Sequence, residues 1–193
     1  VDARKGTVQC ANRTCPAHKG GNLVDFFGLY QEIPSSLQAA LALAKFVEVE
    51  LGEDLLETLT QEFVEEGRKA LRENRLDDAN DLVVQALDIA PENVETHLLA
   101  FDLAQARGSV GEALEYAQRA AAVAERKGEI DRAIEIVQTQ ILALLPEDEE
   151  CLLHLADLYE AAGQIEKSIE MILKIVDARV AREDFGSVIS PLE

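Results

Sequence analysis

Apolar residues recur about every 3.6 positions from residue 36 to residue 182, and the recurrence stops at short breaks containing Gly, Pro or Asn. Such spacing places the apolar side chains on one face of a helix. Gly and Asn suit the residue that ends a helix, and Pro suits the first turn of the next one. The pattern predicts helices at roughly 36–51, 54–73, 76–90, 92–107, 110–127, 130–145, 148–162, 165–182 and from 185 onward.

The chain also repeats itself at a spacing of 55 residues. The recurring pairs are Pro91 and Pro146, Gly108 and Gly163, Leu98 and Leu153, and Asp102-Leu103 and Asp157-Leu158. A fixed period in this range is typical of repeat arrays, in which each unit buries its apolar face against the next unit. Within 110–127, small residues form one ridge that allows neighbouring helices to approach closely. That ridge consists of Ala113, Ala117, Ala120, Ala121 and Ala124.

Residues 1–33 differ from the array that follows at 34–193. They hold four Gly, two Cys and one His, and their apolar periodicity is weak. Short extended pieces and loops are expected there, and any strand of the chain should fall in this segment. The one apolar cluster lies at 23–31, so we expect 23–31 to cap the open end of the array and residues 1–22 to project as an arm.

The charge of the chain narrows the choice of partners. The formal net charge is −19, with about +1 on residues 1–35 and about −20 on residues 36–193. Nucleic acid and anionic membrane surfaces are not expected as partners, because binding them requires a basic patch. A basic protein partner fits this charge, and so does solubility alone. No stretch reaches 18 apolar residues, so no membrane insertion is expected and we expect a cytoplasmic protein.

Part of the array resembles the tetratricopeptide repeat (TPR). Residues 60–93 follow its 34-residue pattern, with a large aromatic, small residues and a closing proline at Phe63, Gly67, Ala79, Val83, Ala86 and Pro91. The runs NRLDDA (74–79), GSVGEA (108–113), GEIDRA (128–133) and GQIEKS (163–168) look like the turn between its two helices. Glu66 and Ala70 depart from the family pattern, which has Leu and Tyr there.

The spacing of these turns departs from a plain two-helix repeat. Ala79 and Ala113 are 34 residues apart, Ala113 and Ala133 only 20, and Ala133 and Ser168 are 35. Three helices would then fill each 55-residue unit, and helix 110–127 would serve both as the second helix of one unit and as the first of the next. The resemblance implies an all-α solenoid of antiparallel helical hairpins with an irregular N-terminal arm.

The resemblance further implies a non-enzymatic scaffold that binds or assembles partner proteins. Its inner groove is lined by first-helix positions. Transferred to this chain, these are Arg68, Arg72, Leu98, Asp102, Gln105, Leu153, Asp157 and Glu160. The family's basic clamp for C-terminal carboxylates is not matched, because Val64 and Glu65 stand where it would begin.

Three residues of the N-terminal segment have the chemistry of metal ligands. Cys10, Cys15 and His18 form C-x4-C-x2-H, and thiolate and imidazole suit tetrahedral zinc. A fourth ligand would have to be Asp25, a residue from elsewhere, or water. A Cys10–Cys15 disulfide and two free thiols are equal alternatives.

Other candidate groups have simpler interpretations. Cys151 and His154 share a helix face, where a half-buried Cys and a surface His are expected rather than metal ligands. His97 should be a packed core residue. Acidic pairs such as Glu147 and Asp148 suit solvated helix starts. No nucleotide-binding or hydrolase motif occurs, so no catalytic residue and no cofactor is assigned, with zinc as the exception to test.

Two alternatives to the scaffold stay open at this point. The first is a metal- or redox-handling module that uses the N-terminal Cys/His segment and is positioned by the repeats. The second is a structural subunit of a larger complex.

Overall fold

The computed structural model describes residues 7–8, 21–22, 39, 42 and 53–181. The chain divides into two compact units, Val1–Glu62 and Phe63–Glu193. Several predictions concern residues that the structure does not describe. They are the boundary at 33/34, the cap at 23–31, the helix from 185 onward, and the helix at 36–51 apart from Ala39 and Ala42, which are helical. They stay predictions.

Within the described residues the N-terminal unit contains one antiparallel pair of two-residue strands. β1 is Thr7–Val8 and β2 is Gly21–Asn22, with Thr7 opposite Asn22 and Val8 opposite Gly21. The described part of the chain has no other strand, which agrees with the expectation that strands are confined to residues 1–33.

Helices fill the rest of the described chain. They are α1 (Glu53–Arg72), α2 (Leu76–Ile89), α3 (Val94–Ala106), α4 (Val110–Arg126), α5 (Ile130–Ile136), α6 (Glu149–Ala161) and α7 (Ile165–Ala181). A π-helical segment, Val137–Ile141, continues α5, and the turn Leu142–Leu144 ends it. Each helix lies within about two residues of its sequence prediction, as expected when turn residues fix the boundaries.

Four turns between helices have the same geometry. Asn74, Gly108, Gly128 and Gly163 adopt left-handed φ values of 57°, 75°, 75° and 71°. At Gly108 the amide donates to the Gln105 carbonyl at 2.9 Å, and the Ser109 amide donates to the Ala104 carbonyl at 2.9 Å. Bonds of the same pattern close the other three turns. This pairing satisfies carbonyls that the helix end would otherwise leave open, so the four turn runs found in the sequence are confirmed.

The two proline loops are also alike. The residues before Pro91 and Pro146 both leave the helical region, and a carboxylate or amide side chain then caps the next helix. The Asn93 side chain accepts from the Thr96 amide at 3.0 Å, and the Asp148 side chain accepts from the Cys151 amide at 2.9 Å. Gly108 and Gly163, and Pro91 and Pro146, are thus equivalent turns in a 55-residue unit.

The π-helical segment accounts for one extra residue in α5. Asn74 and Pro91 are 17 positions apart, whereas Gly128 and Pro146 are 18 apart. A π-bulge accommodates an inserted residue by widening one helical turn. The buried positions Ala79, Val83 and Ala86 of α2 therefore correspond to Ala133, Val137 and Ile141.

Helix α4 packs against two neighbours, α3 on one side and α5 with its π-helical continuation on the other. All five alanines of its predicted ridge are fully buried. Small side chains allow helix backbones to come close on both sides. This confirms that one helix is shared between successive pairs. Helix α6 in turn pairs with α7.

Close approach also depends on a glycine of α1. A Cβ built on Gly67 would lie 2.5 Å from Leu99 Cδ2, and Leu99 of α3 is fully buried. Real Cβ atoms do not come this close to another carbon, so only glycine fits here without movement of Leu99. The small-residue position at Gly67 therefore holds α1 against α3.

Candidate protein-binding surface

A chain of ion pairs joins three helices on one side of the array. Glu95 of α3 accepts hydrogen bonds from Arg68 of α1 at 2.5 Å and from Arg132 of α5 at 2.7 Å. Arg132 also donates to Glu135 at 2.6 Å. The four side chains are each about one-third or more exposed, so solvent screens the pairs and their role is mainly to fix geometry.

Two opposing effects set the pKa of the Glu95 carboxyl at this junction. Partial burial would raise the pKa of its carboxyl, but the hydrogen bonds from Arg68 and Arg132 outweigh burial and leave the pKa below its ordinary value. The carboxylate is therefore charged at neutral pH. It holds both guanidinium groups in place along the first-helix side.

Asp102 lies two turns after Glu95 on the same face of α3, and its pKa shifts in the opposite direction. Its pKa is raised, first by loss of hydration and then by the negative charge of Glu95, while Arg68 pulls it down. Much of the residue is nevertheless exposed, and it forms no ion pair with any residue of the described chain. A partly dehydrated carboxylate without an ion-pair partner is stabilised by an incoming cation.

The position of Asp102 recurs in the second unit as Asp157 of α6. Asp157 is exposed, and so is Glu160 one turn later. Neither residue takes part in an ion pair within residues 53–181. Leu153, one turn before Asp157, is 37% exposed and supplies apolar surface beside these carboxylates.

The other predicted groove residues fall into two groups. Arg72 and Gln105 are exposed, as a binding position requires. Leu98 instead belongs to the core that α3 shares with α4 and α6, and only 9% of it is accessible. Its equivalence to Leu153 is therefore one of sequence position and not of exposure, because Leu153 lies where less of the array covers it.

A surface cleft of ≈470 Å³ lies next to the ion-pair junction. It is formed by the start of α3 and by the turn between α4 and α5. Its charged lining residues are Glu95, Lys127, Glu129, Asp131 and Arg132. Outside it, Arg126 pairs with Glu92 at 2.6 Å. The cleft is thus of mixed charge, unlike the acidic positions on α3 and α6.

His97 has the packed, neutral environment expected of a core residue. Its Nε2 donates to the Pro91 carbonyl at 2.8 Å, and its buried Nδ1 has no hydrogen-bond partner. Burial lowers its pKa, so the ring is neutral at pH 7. The interpretation of His97 as a packing residue is confirmed.

Cys151 and His154 are not arranged as metal ligands. Cys151 is a buried free thiol, and burial followed by its contact with Asp148 raises its pKa to about 12. His154 is half-exposed and bonds Glu125 of α4 at 2.9 Å. No group of three His, Cys, Asp or Glu side chains in the described residues could hold a metal ion. The proposed ligands Cys10, Cys15 and His18, with Asp25, lie outside the described residues, so that prediction stays open.

Sequence reasoning missed the residues that organise this surface. Glu95, Arg132 and Glu135 are far from Arg68 in sequence, and each alone resembles an ordinary solvated charge. The recurrence of Asp102 as Asp157 is the one local signal. The ion-pair junction becomes visible only once α1, α3 and α5 are brought together.

No helix in the described part of the chain combines the length and apolar composition needed to cross a membrane. No protein-family model matches the chain. No curated protein matches it either.

Among solved structures, the chain is similar to a Podosopora anserina protein described as a kinesin light chain with nearly identical TPR-like repeats. That similarity has 19% identity and a TM-score of 0.29, over 63% of this chain and 75% of the other. The chain is also similar to the MamA protein, at 15% identity and a TM-score of 0.33 over 84% of this chain and 91% of that one. Similarities with such low identity and TM-scores do not support a conclusion about function. The helix pairs and turns of the described residues are by themselves those of an all-α, TPR-like array of antiparallel hairpins.

Proposed function

We propose that this chain is a non-enzymatic scaffold whose first-helix side binds a basic segment of a partner protein. The observation that carries the proposal is the recurrence of an exposed carboxylate, Asp102 on α3 and Asp157 on α6, without an ion pair in the described residues. An array that repeats a binding position at a fixed spacing can contact successive residues of an extended partner.

The charge distribution supports a basic partner over an acidic one. Residues 36–193 carry a net charge of −20, whereas residues 1–35 carry +1. Loss of hydration already raises the pKa of Asp102, so a Lys or Arg of the partner would recover part of that cost. Steering of a positive segment by the acidic surface would also accelerate association and make it sensitive to salt.

The ion-pair junction would serve to hold these positions in register. Arg68 and Arg132 both bond Glu95, which connects α1, α3 and α5 beside Asp102. A binding surface supported by rigid helices loses less conformational entropy when the partner docks. Arg68 thus has a positioning role in the proposal and need not contact the partner.

The test compares two variants with the same change of charge. Asp102→Asn with Asp157→Asn removes the proposed contacts, whereas Asp81→Asn with Glu112→Gln removes two exposed acids from α2 and α4. Each chain is used as bait, and captured proteins are quantified by mass spectrometry at low and high salt.

We expect proteins with Lys- and Arg-rich segments to be lost from the first variant and retained by the second, with capture weakening as salt rises. Equal loss from both variants would mean that only overall charge matters. Capture that is unaffected by either variant would contradict the proposal.

A further inference from the structure

A pocket of ≈260 Å³ lies over α3, between α2 and α4. Its base is apolar and consists of Val83, Ala100, Leu103 and Ala104, which are buried. Its wall on α2 includes Val84, which is 57% exposed. An apolar depression with an exposed apolar wall is the kind of surface that binds a side chain of a partner.

The pocket and Asp102 lie on opposite sides of α3. The α3 residues that line the pocket are Ala100, Leu103, Ala104 and Arg107, which are three or four positions apart and share one face of the helix. Asp102 is about 150° away from the middle of that face, at 3.6 residues per turn. The pocket is therefore a second surface, separate from the one proposed to bind a basic segment.

The second unit shows why the first unit has empty space at this place. At the 55-residue spacing, Ala100 corresponds to Leu155 and Ala104 corresponds to Tyr159. Leu155 and Tyr159 are buried, so the second unit fills with two large side chains what the first unit lines with two methyl groups. The Tyr159 hydroxyl accepts a hydrogen bond from Nε2 of Gln138 at 2.6 Å.

The partner of Tyr159 corresponds to a residue of the pocket. Gln138 follows Val137, the equivalent of Val83, and therefore corresponds to Val84. The Tyr159 side chain thus reaches from the position of Ala104 to that of Val84, and both of these residues line the pocket. An aromatic ring in the second unit occupies the space that stays open in the first.

Tyr116 of α4 compensates for only part of the missing volume. It stands where the second unit has the smaller Met171, and it is half-buried. It contributes one wall of the pocket, and ≈260 Å³ remains beside it.

The size and the lining of the pocket indicate its occupant. Pockets that hold whole small molecules measure about 300–1,000 Å³, so ≈260 Å³ suits a single side chain. A side chain that enters from solvent places its tip against Ala100 and Ala104, which have no polar side-chain atoms. A hydroxyl at that tip would be dehydrated without a hydrogen bond, which is unfavourable. Phenylalanine therefore fits this pocket better than tyrosine does.

Hydrogen-bond donors lie at one end of the pocket. Arg107 Nη1 donates to Asn80 Oδ1 at 3.0 Å, and both residues line the pocket. Arginine has five N–H groups and asparagine has two, so N–H groups remain for an acceptor on a partner. Glu112 lines the same end and is exposed, so it would repel a carboxylate but not a neutral backbone carbonyl. We propose that the pocket binds a phenylalanine side chain of a partner protein, with a neighbouring backbone carbonyl of that partner facing Asn80 and Arg107.

The first test is a titration of the full chain with N-acetyl-phenylalanine amide, followed by NMR of the Val and Leu methyl groups. The ring of the bound probe should shift the methyl signals of Val83, Val84 and Leu103, which line the pocket. N-acetyl-tyrosine amide should bind about tenfold more weakly, because its hydroxyl is left without a partner at the base of the pocket.

The second test compares variants of the chain in the same titration. Val84→Glu removes the apolar wall and should weaken binding of the phenylalanine probe by about tenfold. Val110→Glu is the matched control, because Val110 is 58% exposed and is not part of the pocket lining. Ala104→Tyr gives the first unit the aromatic residue of the second and should abolish binding. Circular dichroism of each variant checks that the helices are intact, and the two valine variants keep the test valid if Ala104→Tyr does not fold.

Several outcomes would overturn the proposal. A phenylalanine probe that shifts none of the pocket methyl signals would exclude the site, and so would equal weakening by the two valine variants. Undiminished binding to a folded Ala104→Tyr chain would mean that the probe binds elsewhere. Equal binding of the two amides would contradict the choice of phenylalanine. Asp102→Asn with Asp157→Asn should leave binding of the probe unchanged, so failure of this site is distinguishable from failure of the basic-segment surface.

Discussion

The contact between Gly67 and Leu99 offers a sharp test of how α1 packs on α3. Replacing Gly67 with Ala has two opposing effects. Alanine in a helix stabilises the folded state by about 0.5–1 kcal/mol relative to glycine, because it restricts the unfolded chain. The added methyl group would also lie 2.5 Å from Leu99 Cδ2 and 3.3 Å from Cδ1, and Leu99 is fully buried.

The steric term should be the larger one. Overpacking of a buried site costs about 1–3 kcal/mol, because a side chain or a helix must move. Leu99 is fully buried, so moving its Cδ atoms away from the added methyl group also displaces the side chains that enclose them. We therefore expect Gly67→Ala to lower the free energy of unfolding by about 1 kcal/mol.

Gly111 provides the matched control. It also lies in a helix, α4, but a Cβ built on it meets nothing within 4 Å. Gly111→Ala should therefore raise the free energy of unfolding by a few tenths of a kcal/mol to about 1 kcal/mol. The measurement is urea unfolding followed by circular dichroism, with the slope of the transition compared between chains.

A double-mutant cycle separates the two terms. Leu99→Ala is itself destabilising, but it removes the atoms that the added methyl group would strike. In that background Gly67→Ala should become neutral or stabilising, giving a coupling energy of about 1–2 kcal/mol. If Gly67→Ala stabilises the original chain as much as Gly111→Ala does, α1 and α3 do not pack as described.

Three further predictions concern the core of the array. Ala113→Leu should lower the free energy of unfolding by about 1–3 kcal/mol, because the side chain is fully buried between helices; an unchanged denaturant midpoint would contradict this. Deleting Thr139 should convert the π-bulge into regular helix and leave the free energy of unfolding nearly unchanged. Deleting Gln118 from α4 should rotate the following alanines away from the core and lower the free energy of unfolding by ~4 kcal/mol or more. Thermal melts of the two deletion variants test this difference. Burial lowers the pKa of His97 in the folded state, so the unfolded state takes up a proton first, and the free energy of unfolding should fall as pH drops below about 6.5. His97→Leu copies the buried Leu152 of the second unit. This variant should lose that part of the pH dependence of the urea midpoint.

The turns were predictable from sequence because their cause is local. A residue that must adopt a left-handed conformation is nearly always Gly or Asn, and Asn74 and Gly128 are each followed within a few residues by an apolar and then a small residue. Since the four turns and two prolines bound every helix after α1, the helix limits followed. The neighbours of α4 could be predicted for the same reason, from the short spacing between Ala113 and Ala133.

The sequence also contains an indication of the π-helical segment, but the spacing of apolar residues does not reveal it. Only a count of residues between the left-handed turn and the proline shows that α5 is one residue longer than α2. The extra residue could have extended the loop instead. In the structure the extra residue lies within the helix, where the π-helical segment Val137–Ile141 widens one turn and Ile141 takes the buried position that corresponds to Ala86.

The exposed surfaces show where sequence reasoning ends. The repeat position of Arg68 predicts a groove residue, but its partner Glu95 depends on the angle at which α1 meets α3, and that angle depends on Gly67. The exposure of the apolar residues Ile165, Ile169 and Leu173 of α7 could not be predicted for a different reason. These residues fit the same helical pattern as those of α4, and a pattern of apolar positions does not say whether a neighbouring helix is present to cover them. Exposure can be judged only when every neighbour is in place, so a partner-binding face of a repeat helix and a core face have the same sequence signature.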